Sequence, residues 1–233
     1  MIKIIIGGTG SGKTTTAIKE MHDRRCMNFA NIENGFPFST RLKVEHIIME
    51  EQVGEKRDGT PIMKKKINWD FWQDLSNRDI RFDIYIDEAH NVLHSRRSSS
   101  TFSVLMTMWL AQIRRILGES EQNHLYLITQ RFNAIDVTAR ELAQEIIMCQ
   151  KMESLPYLST KVISPVTKEH IYKSLPVVTI IKRVFMGTFA IEKYISWMMA
   201  KGKPDRQSSF IANPFFRFYN SYAFVRFGES AYL

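Results

Sequence analysis

The chain has 233 residues, 44% of them hydrophobic and 24% charged, with a formal net charge of +8. That length suits one domain, or one domain with an appendage, and excludes two full motor domains; the composition is globular rather than disordered or fibrous. Two cysteines, Cys26 and Cys149, are too few for a disulfide framework or a zinc site and read as reduced thiols.

Ile2 to Ile6 is an apolar run that predicts a buried strand, and Thr15 to Met21 is helix-like. Between them stands Gly7-Gly8-Thr9-Gly10-Ser11-Gly12-Lys13-Thr14, the spacing Gly-x4-Gly-Lys-Thr of a phosphate-binding loop in a strand–loop–helix setting. Glycines let the chain curl with its N–H groups inward, so a nest of amides and the positive helix end meet phosphate oxygens. Lys13 is then expected to reach the β- and γ-phosphates of ATP, and Thr14 to offer a hydroxyl to Mg²⁺. Gly7 to Thr15 are the candidate nucleotide contacts.

Met27 to Ile32 predicts a second strand. Val44 to Val53 and Ile62 to Ile67 flank an Asp58-Gly59 turn and predict a hairpin inserted at about 43–67, with a charged tip. Trp69 to Leu75 reads as a short helix. Arg81 to Ile86 is a run of strand formers ending abruptly in Asp87-Glu88. In an α/β sheet ligands gather at the carboxyl ends of strands, so both acids are expected at the phosphate loop, Asp87 holding Mg²⁺ and Glu88 polarising the attacking water.

Arg96 to Ser100 reads as a polar loop, Phe102 to Leu117 as an amphipathic helix, and Leu125 to Ile128 as a buried strand ending in Thr129-Gln130-Arg131. Val137 to Ala143 suggests a short helix and Glu145 to Cys149 another strand. Strands alternating with helices predict an α/β fold with a mostly parallel sheet covered on both faces. From Met152 onward the alternation lapses. Tyr157 to Val166 and Val177 to Phe185 read as strands, Phe189 to Ala200 as a helix, Gly202 to Ser209 as a polar loop, and Phe210 to Phe227 as an aromatic, strand-like tail.

No apolar run approaches the ~20 residues that span a bilayer; Val177 to Met199 comes nearest but is cut by Lys182, Arg183, Glu192 and Lys193. The first residues enter a strand pattern directly, so no signal peptide is expected. Residues 1–150 hold 20 Lys and Arg against 19 Asp and Glu, whereas 151–233 hold 12 against 5 and 15 of the 27 aromatic residues. The last third therefore carries +7 of the +8, which points to a nucleotide-handling core, 1–150, followed by a basic extension, 151–233, with a polyanionic partner.

With the loop Gly7 to Thr14, the strand Ile84 to Asn91 and the strand end Leu127 to Arg131 together, the chain resembles the additional-strand class of phosphate-loop ATPases. Within it, the resemblance is to the FtsK–HerA group, to viral genome-packaging ATPases and to Zot-like assembly proteins of filamentous phages. Ile135-Asp136 and Arg140-Glu141-Leu142 add to this. The resemblance covers about residues 1–150, with only Phe218-Tyr219-Asn220-Ser221-Tyr222 added from the tail, and implies a RecA-like core; the strand-like segments after Met152 are expected to form a β-rich C-terminal extension packed on it. Also implied are ATP and Mg²⁺ as cofactors, DNA as partner, and a homo-oligomeric ring, a hexamer by resemblance. It places Gln130 as a polar sensor on a strand between the phosphate-loop strand and the Asp87 strand, and calls for an arginine acting on a neighbouring subunit. Arg140 is the first candidate for that arginine, ahead of Arg131, Arg114 and Arg115. Packaging would add a viral capsid, portal or membrane protein as partner and place the chain in the host cytoplasm or the virion.

Alternatives are a Zot-like export ATPase, or a phosphate-loop kinase or binding module without a DNA role. Asp87-Glu88-Ala89-His90 also suggests a superfamily 2 helicase, but such enzymes close their site between two tandem domains, and this chain is too short to supply the second.

Overall fold

Side-chain alternation divides each central strand between two cores, and that division organises the molecule. The computed structural model describes residues 1–93, 101–118, 122–163 and 170–219, with backbone alone for 154–163 and 170–176. Its first half runs β1 (Ile2–Ile6), α1 (Lys13–Arg24), β2 (Met27–Ala30), β3 (Ser39–Arg41), α2 (Val44–Ile47), β4 (Ile48–Glu55), β5 (Pro61–Ile67), α3 (Trp69–Asn77) and β6 (Phe82–Ile86). The second half runs α4 (Thr101–Leu117), β7 (His124–Thr129), α5 (Val137–Glu141), β8 (Glu145–Ile163), β9 (His170–Met186), α6 (Ala190–Met198) and β10 (Arg206–Ile211). A 3-10 segment, Asn213–Phe218, follows.

Eight strands form one sheet in the order β10-β9-β8-β1-β7-β6-β2-β3, and β4 and β5 form a separate hairpin. From β8 across to β3 every neighbour is parallel; β9 and β10 join antiparallel. Ile2, Ile4, Ile6, Phe82, Ile84, Ile86, Leu125 and Leu127 face one core with Trp72 of α3 and Trp109 of α4. Ile5, Tyr85, Tyr126 and Ile128 face the other, with Ala17, Ile18 and Met21 of α1. Strands buried on both faces explain why these segments read as continuous apolar runs.

Register decides where the loops meet. Ile6 pairs with Thr129, and Ile86 with Leu127, so the chain leaves β1, β6 and β7 at one end of the sheet. β7 lies between β1 and β6, the position expected for the additional strand.

Several boundaries differ from the sequence reading. Glu145–Cys149 and Tyr157 onward belong to one strand, β8, whose ladder with β9 passes an irregularity between Ser154 and Tyr157; Ser164 to Val166 lie outside the described residues. Arg206–Ile211, read mainly as loop, pairs with β9 as an edge strand although its sequence is polar, because an edge strand buries little. The aromatic tail does not continue as a strand: Pro214 opens a 3-10 turn that rolls Phe215 and Phe218 onto α1, and residues 220–227 lie outside the described residues. Val44–Ile47 forms a helical turn before β4, and the short β3 carried no run long enough to read.

Candidate nucleotide site

The phosphate loop has glycine where nothing else fits. Gly12 sits at φ 91, and a Cβ there would lie 1.8 Å from Ile180 Cδ1; at Gly7 a Cβ would lie 2.6 Å from the Cys149 carbonyl oxygen. β9 and β8 thus back the loop closely and force its curl outward. Inside it, Ser11 N–H donates to Gly8 O at 3.2 Å and Lys13 Nζ donates to the same oxygen at 2.9 Å. Thr16 Oγ1 closes the first turn of α1 on Gly12 O at 2.9 Å. Ser11 Oγ is buried without a partner among the described residues.

The acidic side is equally fixed. Asp87 is 5% exposed. Its backbone is gripped at both ends by Asn31, whose Nδ2 donates to Asp87 O at 2.9 Å and whose Oδ1 accepts from Asp87 N–H at 2.6 Å. Its carboxylate accepts from Thr14 Oγ1 at 3.1 Å and from Glu88 N–H at 2.8 Å. Burial pushes the Asp87 carboxyl above its ordinary value, and burial lowers Lys13 against the opposing pull of Asp87 and Glu88. Glu88 adopts a left-handed conformation, φ 50 and ψ 43, a strained state for a glutamate of the kind that collects at functional sites.

Gln130 closes the cluster. Its Nε2 donates to Glu88 Oε1 at 2.8 Å, and its Oε1 accepts from Thr9 Oγ1 at 3.0 Å, so one amide joins the phosphate loop to the acid at the end of β6. Glu88 Oε2 is buried and lies 3.3 Å from His90 Nδ1 without an aligned hydrogen bond. His90 Nδ1 is also 3.2 Å from Thr129 Oγ1.

These residues fit a magnesium nucleotide. Thr14 and Asp87 supply the hard oxygen donors that Mg²⁺ takes, and Ser11 Oγ and Glu88 Oε2 are polar atoms with hydrogen-bonding capacity to spare. A magnesium ion would add charge neutralisation, offsetting the cost of the buried Asp87 carboxylate.

Of the residues singled out in the sequence, Thr9, Lys13, Thr14, Asp87, Glu88 and Gln130 are brought together. Arg140 is not: its guanidinium lies over the Phe132 ring at 5.6 Å, with Nε buried and unpartnered among the described residues. Arg131 lines a cleft of about 860 Å³ that opens beside Gln130 against Tyr194 and Met198 of α6. Arg96 and Arg97 lie outside the described residues. Asn31 carries no signal in the sequence, and His90, read as part of a helix start rather than a helicase motif, does lie in a 3-10 turn, Ala89–Asn91; only the strand ladder shows what each touches.

No protein-family model and no curated protein matches the chain. Among solved structures it is similar to the N-terminal domain of zonular occludens toxin from Neisseria meningitidis, at 15% identity and TM-score 0.49 over 94% of this chain and 98% of that one. It is also similar to the genome packaging NTPase B204 from Sulfolobus turreted icosahedral virus 2 in complex with ATP-gammaS, at 15% identity and TM-score 0.37 over 63% and 73%. A third likeness is to the KaiC-like protein PH0186 from Pyrococcus horikoshii OT3, at 13% identity and TM-score 0.38 over 76% and 84%. The chain itself is an α/β fold with a mostly parallel sheet, in which a phosphate-loop sequence joins β1 to α1, paired acids follow β6 and β7 lies between those two strands.

Proposed function

We propose that the chain hydrolyses ATP with Mg²⁺ and uses the energy to move DNA, as the motor of viral genome packaging, in a homo-oligomeric ring. The observation that carries the hydrolytic part is the Thr9–Gln130–Glu88 chain: a carboxylate and an amide stand beside the phosphate loop, which supports a base and a sensor acting on the γ-phosphate and an attacking water. In this reading Lys13 and the amides of Gly7 to Thr15 hold the phosphates, Thr14 and Asp87 hold Mg²⁺, Glu88 takes the water's proton, and Gln130 orients Glu88 and the water.

For DNA, support comes from the sheet edge at β10. Lys201, Lys203 and Arg206 are exposed and form no ion pair among the described residues, whereas Lys182 is neutralised by Glu20 at 2.9 Å and Arg183 is held by Gln150 and the Trp197 ring. The side chains of Lys161, Lys168 and Lys173 lie outside the described residues. We therefore assign the phosphate loop, the acids and the sensor to residues 1–150 and DNA contact to the basic residues of 151–233, with a capsid or portal protein as the docking partner of the ring. Phosphate release measured with and without double-stranded DNA tests this: turnover should rise with DNA. ATP turnover indifferent to any nucleic acid would leave a DNA-independent ATPase.

A further inference from the structure

After β10 the chain turns back across the helix that carries the phosphate loop. One end of the crossing is anchored on β9, where Ala212 N–H donates to Val178 O at 2.7 Å and Asn213 Oδ1 accepts from Val178 N–H at 2.8 Å. The other is tied to the loop after β2: Gly35 N–H donates to Phe218 O at 2.8 Å, and Tyr219 forms an antiparallel bridge with Asn34. Between the anchors Phe215 meets His22 of α1 edge-on, with ring centroids 5.6 Å apart, and Phe218 stacks on Phe36 at 4.8 Å. The crossing ends with Tyr219 Oη 2.6 Å from Thr15 Oγ1.

Thr15 is the third residue of α1, in the turn whose N–H groups have no partner within the helix. In a phosphate loop the lysine serves the outer phosphates and the following threonine the metal, while the loop and helix amides cradle the α- and β-phosphates. One residue past Thr14, Thr15 is by its place in the motif the residue expected at the inner end of the phosphate chain; it is 3% exposed, with Tyr219 Oη against its hydroxyl. A hydroxyl has one proton to give and two lone pairs to accept with. If Tyr219 donates to Thr15 Oγ1, the threonine keeps its own proton for a phosphate oxygen, and two hydroxyls in series polarise one another. Burial raises the Tyr219 phenol above its ordinary value, so it stays a donor at neutral pH.

We propose that Tyr219 is a positioning residue of the nucleotide site, its phenol donating to Thr15 so that the Thr15 hydroxyl points at the α-phosphate of a bound nucleotide. This rests on the nucleotide-binding reading above and extends the site to a residue 204 positions away in sequence from Thr15. The C-terminal crossing is then part of the nucleotide site rather than packing alone.

The test is calorimetric binding of Mg-ADP and of magnesium pyrophosphate to the full chain, its Tyr219→Phe and Thr15→Val variants, and the double variant. Pyrophosphate fills the amide nest and the Lys13 position without needing the α-phosphate contact. Tyr219→Phe should weaken ADP about threefold to tenfold, the worth of one neutral hydrogen bond, and leave pyrophosphate unchanged. Thr15→Val should cost ADP at least as much, and Tyr219→Phe should add nothing in that background. Unchanged ADP affinity in Tyr219→Phe, additive losses, or equal losses for both ligands would overturn the role of Tyr219. Failure of the unmodified chain to bind ADP would overturn the nucleotide reading and this inference with it.

Discussion

Glu88 stands in a strained and only partly satisfied position. Its backbone is in a left-handed well, one carboxylate oxygen is held by Gln130 and the other is buried without an aligned hydrogen bond. Substitution of Glu88 by Gln should preserve the shape and the Gln130 contact while removing the basic oxygen. ATP hydrolysis should fall by at least about 100-fold, the usual worth of a general base, with ATP still bound. Lys13→Ala should differ by losing nucleotide affinity as well, since it removes the one cation among Thr9, Lys13, Thr14, Asp87, Glu88 and Gln130. Single-turnover hydrolysis and equilibrium binding on the two variants separate the cases; near-normal turnover in Glu88→Gln would reassign the base. The loop and the acidic pair were legible because each is a contiguous pattern with its own backbone logic. Asn31 was not, because its grip on both backbone groups of Asp87 depends on β2 lying beside β6.

Among the elements, β7 has a role at each end. Its C-terminal end delivers Thr129 and Gln130 to the site. Its N-terminal end buries His124 beside Tyr126, whose hydroxyl is 3.0 Å from Nδ1, while His124 Nε2 has no partner among the described residues. Below it Asp83 is held by Arg24 and accepts from His124 N–H at 2.8 Å. Burial lowers the His124 imidazole from 6.5 to about 2, helped by the positive charges of Lys3 and Arg24. A depressed value means that unfolding takes up a proton below pH 6.5, so the stability from neutral His124 is present above that pH and is lost as pH falls towards 2. The slope from this one group is at most about 1.4 kcal/mol per pH unit. Urea unfolding of the unmodified chain should therefore show a midpoint falling from about pH 6.5 to about pH 4, and His124→Gln should fall less steeply. Parallel slopes would mean that other groups dominate the acid sensitivity. The strands of the central sheet were readable as apolar runs, but β10 was not, since an exposed edge strand carries no apolar alternation to read.

For the molecule as a whole, assembly and DNA contact are separable expectations. Arg140 is not part of the cluster in its own chain, where its guanidinium packs over the Phe132 ring, and its proposed action on a neighbour is tested by mixing variants. Mixing Arg140→Ala subunits with Glu88→Gln subunits should restore part of the hydrolysis each lacks, because some interfaces then have both halves intact. No restoration, or full activity in a monomeric chain, would count against Arg140 in that role. Neutralising Lys201, Lys203 and Arg206 together should flatten the dependence of log DNA affinity on log salt by about 0.9 per lost phosphate contact, up to about 2.7 in all. An unchanged slope in the triple variant, with loss on neutralising Arg96 and Arg97 instead, would move DNA contact to that loop.

What the sequence alone determined is local. The loop Gly7 to Thr14, the Asp87-Glu88 strand end and the Thr129-Gln130 strand end could be read because tight turning and strand burial impose residue types at short fixed spacing, and the structure brings the three together. That the acids lie at the phosphate loop followed from the rule that ligands gather at strand carboxyl ends, whereas the place of Gln130 on a strand between the two was inferred only through resemblance. Tertiary structure decided which distant residues complete them: Asn31 on Asp87, His90 between Glu88 and Thr129, Ile180 against Gly12, and Tyr219 on Thr15. A hydrogen bond formed across the sheet depends on strand order and register, which side-chain periodicity along one segment does not encode.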